Sequence, residues 1–194
     1  MAAGSRITLL RWQLDVAWSL LELHLGDLTD AECLWEPTVR CWTVRRHSGD
    51  RWRADWEVPE PDPAPAPTIA WLLWHIGFWW TQTHESCFGT HGRLLRTDLE
   101  WPGSADAAVN WIVDCKDRWS AAVDGVGEEE LDSHARSGWF LRGTKPFGHV
   151  VAWVNTEVMR NAAELGMLRK LHAAAAYEQT AYEQTGYEQR PAAG

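Results

Sequence analysis

Apolar residues recur at three- and four-residue intervals in four separate stretches of this chain, a period that fits helices and does not fit strands. In the first stretch Ile7, Leu10, Leu14, Ala17, Trp18, Leu21 and Leu25 share one side. Ser5 is placed to cap it, so a helix is expected over about residues 6 to 26. The second opens behind Thr68 as its cap and carries Ile69, Trp71, Leu72, His75, Phe78, Trp79 and Gln82. It contains the longest apolar run, the 12 residues from Ile69 to Trp80. It should therefore be the most buried helix, yet it is well short of the ~20 residues that cross a bilayer. Ser104 opens the third, striped by Ala108, Trp111, Ile112, Cys115, Trp119 and Ala122. The fourth is expected from about Phe147 to Ala175, with Arg169, Lys170 and His172 near the negative end of its dipole.

Between the first two helices the pattern changes. Asp30 is placed to cap a short helical turn ended by Pro37. Trp42 and Val44, then Trp52, Ala54 and Trp56, alternate with polar residues around Ser48-Gly49-Asp50, which predicts a small hairpin or ordered loop. The stretch Pro59 to Pro67 holds five prolines and reads as a stiff, extended strap. The fold expected is all-α: a four-helix bundle with one crossover connection and the hairpin or Pro-rich loop between its first two helices, over residues 1 to 175. Residues 176 to 194 repeat YEQTA, YEQTG and YEQR. A period of five turns their tyrosines by roughly 140° per step around a helix, so no common stripe forms, and a disordered low-complexity tail is expected.

Charge and cysteine usage narrow the function classes. With 18 Lys and Arg against 27 Asp and Glu the net charge is −9, and no basic run supplies a nucleic-acid surface. No membrane span is expected, and Arg6, Arg11 and Asp15 interrupt any signal-peptide core. A soluble, cytoplasmic protein follows. Cys33, Cys41, Cys87 and Cys115 form no C-x-x-C pair and read as free thiols. The 15 Trp suit either a thick core or an aromatic-walled pocket.

Chemistry is suggested where polar residues interrupt an apolar stripe. On the fourth helix the core-facing side reads Val150, Trp153, Val154, Glu157, Val158, Asn161, Leu165 and Leu168. A carboxylate and an amide one turn apart need interior partners. His75, the imidazole of the most apolar stretch, is one candidate, and a His facing an i, i+4 pair is how bundles build metal sites. The alternative is internal pairing: His75 with Glu157 or a backbone carbonyl, Glu157 with Arg160, and Asn161 with a neighbour. Glu164 reads as a partner for Arg160 at i, i+4, or as an orienting group. His149, roughly 12 Å along the axis from Glu157, could line a pocket mouth but not share an ion.

Four phrases occur in order: LTDAECLWEP (28 to 37), CWTVR (41 to 45), PDPAPAPTIAWLLWHIGFWW (61 to 80) and WVNTEVMRNAAELGMLRKL (153 to 171). Over about residues 6 to 172 the chain resembles the actinobacterial branch of the DinB-like superfamily. That group includes the bundle domains of mycothiol-dependent maleylpyruvate isomerases and low-molecular-weight-thiol S-transferases. The resemblance implies a divalent metal, commonly zinc or nickel, at His75, Glu157 and Asn161, with mycothiol as a cosubstrate; by its donor chemistry this His, Glu, Asn set could also hold manganese loosely. Two of those positions depart from the family's His, and an amide oxygen is a weak ligand for zinc or nickel.

The leading expectation is thus a transferase, isomerase or hydrolase acting on a small molecule. His75 and Glu157 would be its catalytic groups, and Trp42, Trp71, Trp74 and His149 its substrate contacts. The alternatives are a metal-free protein that binds a hydrophobic small molecule, or one using Glu157 as acid or base for cyclisation or isomerisation. The resemblance also implies pairing as a homodimer, although no heptad or interface motif marks the surface.

Overall fold

The computed structural model describes residues 5–90 and 94–188, with side chains through residue 182. It is mostly helical, in the order α1 (Arg6–Leu25), α2 (Asp30–Leu34), β1 (Cys41–Trp42), β2 (Val44–Arg46), β3 (Trp52–Ala54), β4 (Ala66–Pro67), α3 (Ile69–Phe88), α4 (Ala105–Asp124) and α5 (Phe147–Glu188). The long helices start where local chemistry predicts. The hydroxyls of Ser5, Thr68 and Ser104 accept from the backbone amides of Thr8, Trp71 and Ala107, satisfying donors that have no intrahelical partner. Asp30, expected as the cap of α2, is not: Thr29 takes that role, and the Asp30 carboxylate instead accepts from the Ala105 amide at 2.6 Å, tying α2 to the start of α4.

Side-chain partners fix the directions of the four long helices. Asn155 donates to the Leu10 carbonyl and Arg169 to that of His24, so α5 runs parallel to α1. Thr81 meets Cys115, and a Cβ on Gly77 would collide with the Trp111 ring, so α3 and α4 are closely apposed and parallel too. Trp79 bonds Asn161 while Phe88 packs on Phe147, which makes α3 antiparallel to α5. The second close approach is at Gly166, where a side chain would strike the His24 ring on α1. Trp74, Trp80, Trp119 and Phe147, on these helices, are fully buried in a thick core, and Trp101, ahead of α4, is buried with its ring against Trp52 of β3.

The segment between α2 and α3 is more ordered than a strap. The expected hairpin is present, β2 pairing antiparallel with β3 from Val44 opposite Ala54 to Arg46 opposite Trp52. In addition β1 pairs in parallel with β4, Cys41 opposite Ala66 and Trp42 opposite Pro67, which clips the Pro-rich stretch onto the chain ahead of the hairpin. Two small sheets therefore qualify the all-α expectation. Thr68 donates from its backbone to the Trp42 carbonyl at 2.8 Å and from its hydroxyl to that of Thr43 at 3.1 Å, seating this layer on the start of α3.

At the other end α5 departs from expectation. Its helix does not stop at Ala175 but continues to Glu188, and the expected disordered tail is helical that far; residues 189–194 lie outside the described residues. Ala, Glu and Gln, which dominate the repeats, are good helix formers and extend a helix already nucleated by packing. Tyr177 and Tyr182 stand exposed, so the extension has no apolar stripe to bury.

Candidate functional site

A cleft of about 400 Å³ opens where the clipped layer overhangs α3 and α5. Its wall is a run of rings. Trp42 stacks on Trp71 with centroids 5.0 Å apart, Trp56 lies 5.7 Å from Trp42 and 5.9 Å from Trp71, and the His75 imidazole stacks on Trp71 at 5.0 Å and only 7° from parallel. Each ring is placed by its own element: Trp42 by the β1–β4 clip, Trp56 by the chain leaving the hairpin, and Trp71 and His75 by one turn of α3. The Trp71 indole N–H donates to the Asp55 carbonyl at 2.8 Å, and the Asp55 carboxylate in turn accepts from the Thr43 amide, so roof and floor are cross-linked by hydrogen bonds. Pro65 and Pro67 close one side and Glu57, Val58 and Glu60 form the mouth.

Opposite the rings α5 presents Arg160 and Glu164. The Arg160 guanidinium holds two carboxylates, Glu164 at 3.0 Å and Glu157 at 3.2 Å. Fully buried Asn161 accepts the Trp79 indole N–H on its Oδ1 at 3.1 Å and donates from its amide nitrogen to Glu164 at 3.1 Å. The polar residues of the α5 stripe are thus answered by one another and by one indole, as the pairing alternative anticipates for Glu157, Glu164 and Asn161. The partner proposed for His75 is not found: its Nδ1 is buried and has no hydrogen-bond partner among the described residues. Burial, reinforced by the nearby Arg160 charge, lowers the His75 pKa to about 4, so the ring is neutral at pH 7.

These contacts test the implied metal. A neutral imidazole would suit zinc or nickel, but the other donors are engaged: Oδ1 of Asn161 faces an indole donor, and both carboxylates bind a guanidinium that would sit beside the ion. Among the described residues no three His, Cys, Asp or Glu side chains gather into a ligand cluster. This donor set fits a guanidinium, and does not fit a divalent ion in addition.

Of the residues singled out in the sequence, the structure brings Trp42, Trp71 and His75 together in the cleft. Glu157 lies beside it, paired with Arg160, rather than lining it. Trp74 sits one layer behind, its N–H bonded to the Leu99 carbonyl and its edge toward Trp56. His149 belongs to a different, apolar cleft with Leu9, Pro146 and Ala152. Trp56 and the mouth carboxylates Glu57 and Glu60 were missed; the alternation of Trp52, Ala54 and Trp56 put Trp56 on the hairpin's inner face and was the available signal. Cys33 and Cys87 are buried and their thiols pushed up to about 12 by desolvation, unsuited to nucleophilic work, and Cys41 donates to the Thr38 carbonyl.

The Asn161 contacts carry a testable stability. In Asn161→Leu the Trp79 N–H and Glu164 each lose a buried partner, and urea unfolding should report a loss of roughly 1–3 kcal/mol. An unchanged midpoint would show that this network contributes nothing.

The chain is mostly helical, and among the described residues a ring-walled cleft opens between α3, α5 and the hairpin layer. A family model described as the DinB superfamily matches residues 13–165, and the chain belongs to that superfamily. In fold it is similar to a solved structure, a conserved protein of a locus from Enterococcus faecalis, at 14% identity and a TM-score of 0.50 over 87% of this chain and 98% of that one. No curated protein matches the chain. Among the described residues no helix is long and apolar enough to cross a membrane.

Proposed function

We propose that the protein is a metal-independent four-helix bundle with a crossover connection, which binds a planar aromatic small molecule in the cleft between α3, α5 and the hairpin layer. The observation that carries this reading is the row of Trp42, Trp56, Trp71 and His75, four near-parallel rings lining one opening. Flat ligands gain offset-stacking contact on such a wall beyond their area burial.

Charge selects among flat ligands. Glu57, Glu60 and Glu164 outnumber Arg160, which is itself bound by two carboxylates. The Arg96 guanidinium lies 3.9 Å over the Trp56 ring, the geometry in which a cation rests on an indole face, and is a second positive charge set against the three carboxylates. The cleft therefore favours uncharged or cationic rings over anionic ones. Glu157 is held by Arg160 at 3.2 Å and does not line the cleft. His75 borders the cleft as a neutral ring, and the burial that lowers its pKa to about 4 makes it a weak proton acceptor, so the cleft is suited to binding rather than to acid-base chemistry.

Titration of tryptophan emission with N-methylquinolinium and with 2-naphthoate, flat bicycles of similar size and opposite charge, tests this. The cation should bind at least tenfold tighter and should lose its affinity in Trp42→Ala. Equal affinities, or binding indifferent to Trp42, would overturn the assignment.

A further inference from the structure

Another cavity, of about 230 Å³, lies along the seam of α1, α4 and α5, and shares no lining residue with the ring-walled cleft. Two contacts fix how the seam runs. Arg11 lies 3.0 Å from the Asp124 carboxylate and donates to the Val123 carbonyl at 3.0 Å, while the Lys116 ammonium stands 5.7 Å over the Trp18 ring. Helices α1 and α4 are therefore antiparallel, and interpolating between those contacts puts Asp15 level with Trp119 and Ser120. Leu10 and Leu14 of α1, Val123 of α4 and Val151 of α5 supply the apolar wall.

The polar part of the lining is not answered from within the protein. Fully buried Trp119 has Phe88 and Phe147 against its ring, which offer no lone pair, and its indole N–H has no hydrogen-bond partner among the described residues. The Arg11 Nε–H is buried and likewise without a hydrogen bond, its 3.0 Å contact with Asp124 being ionic and out of line with the N–H. A buried donor without an acceptor is costly, and two in the wall of one cavity point to an acceptor inside it. On the α1 side the exposed Asp15 carboxylate also has no partner among the described residues. Lys116, held by Asp117 at 3.1 Å, flanks it toward Trp18.

We propose that this cavity binds a small α-amino acid with an apolar side chain. Charge selects the class. Arg11 and Lys116 are matched by Asp15 and Asp124, so a lone anion meets two carboxylates and a lone cation meets two basic groups, whereas a zwitterion satisfies both signs. Its carboxylate accepts from the two unanswered donors, Trp119 Nε1–H and Arg11 Nε–H, and its ammonium faces Asp15. Its side chain rests on Leu10, Leu14 and Val151. The volume falls below the ~300 Å³ at which pockets for drug-sized ligands begin, and so suits a smaller molecule than the flat rings proposed for the other cleft. The inference stands or falls independently of that cleft.

Calorimetric titration of L-leucine into the full chain provides the test, beside two truncated forms of it: 4-methylpentanoate, which lacks the amino group, and 3-methylbutylamine, which lacks the carboxylate. Leucine should bind one to one with a dissociation constant below about 1 mM, and each truncated form about tenfold more weakly or worse. In Asp15→Asn, a substitution on an exposed residue that leaves the fold intact, leucine should lose about tenfold in affinity while 4-methylpentanoate loses none, because only the partner of the ammonium is removed. Trp119→Phe, which keeps a ring in the core and deletes the N–H, should weaken both. Absence of saturable binding by leucine would overturn the inference, water alone then answering the two donors. So would a leucine affinity that either variant leaves unchanged, or a truncated form that binds as tightly as leucine.

Discussion

Lowering the pH from 6.5 to 4 is expected to destabilise the protein by roughly 3 kcal/mol through His75 alone. The unfolded imidazole titrates near 6.5, whereas burial and the Arg160 charge hold the folded one at about 4. Between those values the unfolded chain binds a proton that the folded chain refuses, so stability rises with pH across the window and is constant above it. Carboxylates paired with arginines, such as Glu128 and Asp132 with Arg6, have lowered pKa values and lose their own contributions as the solution becomes more acid. They are common to native protein and variant, and cancel in the comparison. Urea unfolding of native protein and His75→Phe at pH 7 and pH 4 isolates the effect: the phenyl ring keeps the stack on Trp71 and removes the titration. The native protein should lose about 3 kcal/mol more than the variant. Parallel losses would mean that His75 is solvated in the folded state.

The largest single loss is expected for Trp71→Ala, about 3–5 kcal/mol in chemical denaturation. Trp71 is 6% exposed and stands at the centre of the ring cluster, within 6.1 Å of Trp42, Trp56, Trp74 and His75 by centroid. Truncation removes those contacts, opens a cavity, and leaves the Asp55 carbonyl without its indole donor. Water admitted beside His75 should also raise its pKa toward 6.5, so this variant should lose part of the native pH dependence between 4 and 6.5. The two changes are therefore coupled: Trp71→Ala and His75→Phe should not add in a double-mutant cycle. A loss below about 1 kcal/mol would show that the stack does not hold the hairpin layer to α3.

The long helices were legible because their signals are local. Ser5, Thr68 and Ser104 cap within three residues of themselves, and the apolar period needs only neighbours on the same helix. The β1–β4 clip was not legible, since it joins Cys41 to Ala66 and exists only once α3 has positioned Thr68. The site was half legible for a related reason. Spacing gives the angle of a residue around a helix but not its level against a neighbouring helix. Glu157 and Glu164 differ by only ~20° in angle and by ~10 Å in level. Because α3 and α5 run antiparallel, His75 lies level with Arg160 and Glu164, and Glu157 falls beyond the cleft. The end of α5 was misread because a missing apolar stripe removes the evidence for packing, not the propensity for helix.

The proposal that the cleft binds a flat ring without a metal is tested most directly by calorimetric titration of N-methylquinolinium into the native protein and into Trp71→Ala, both in buffer containing EDTA. The account predicts one-to-one binding by the native protein in the presence of the chelator and none by the variant. Binding that appears only when zinc replaces the chelator, or that survives the loss of Trp71, would contradict it.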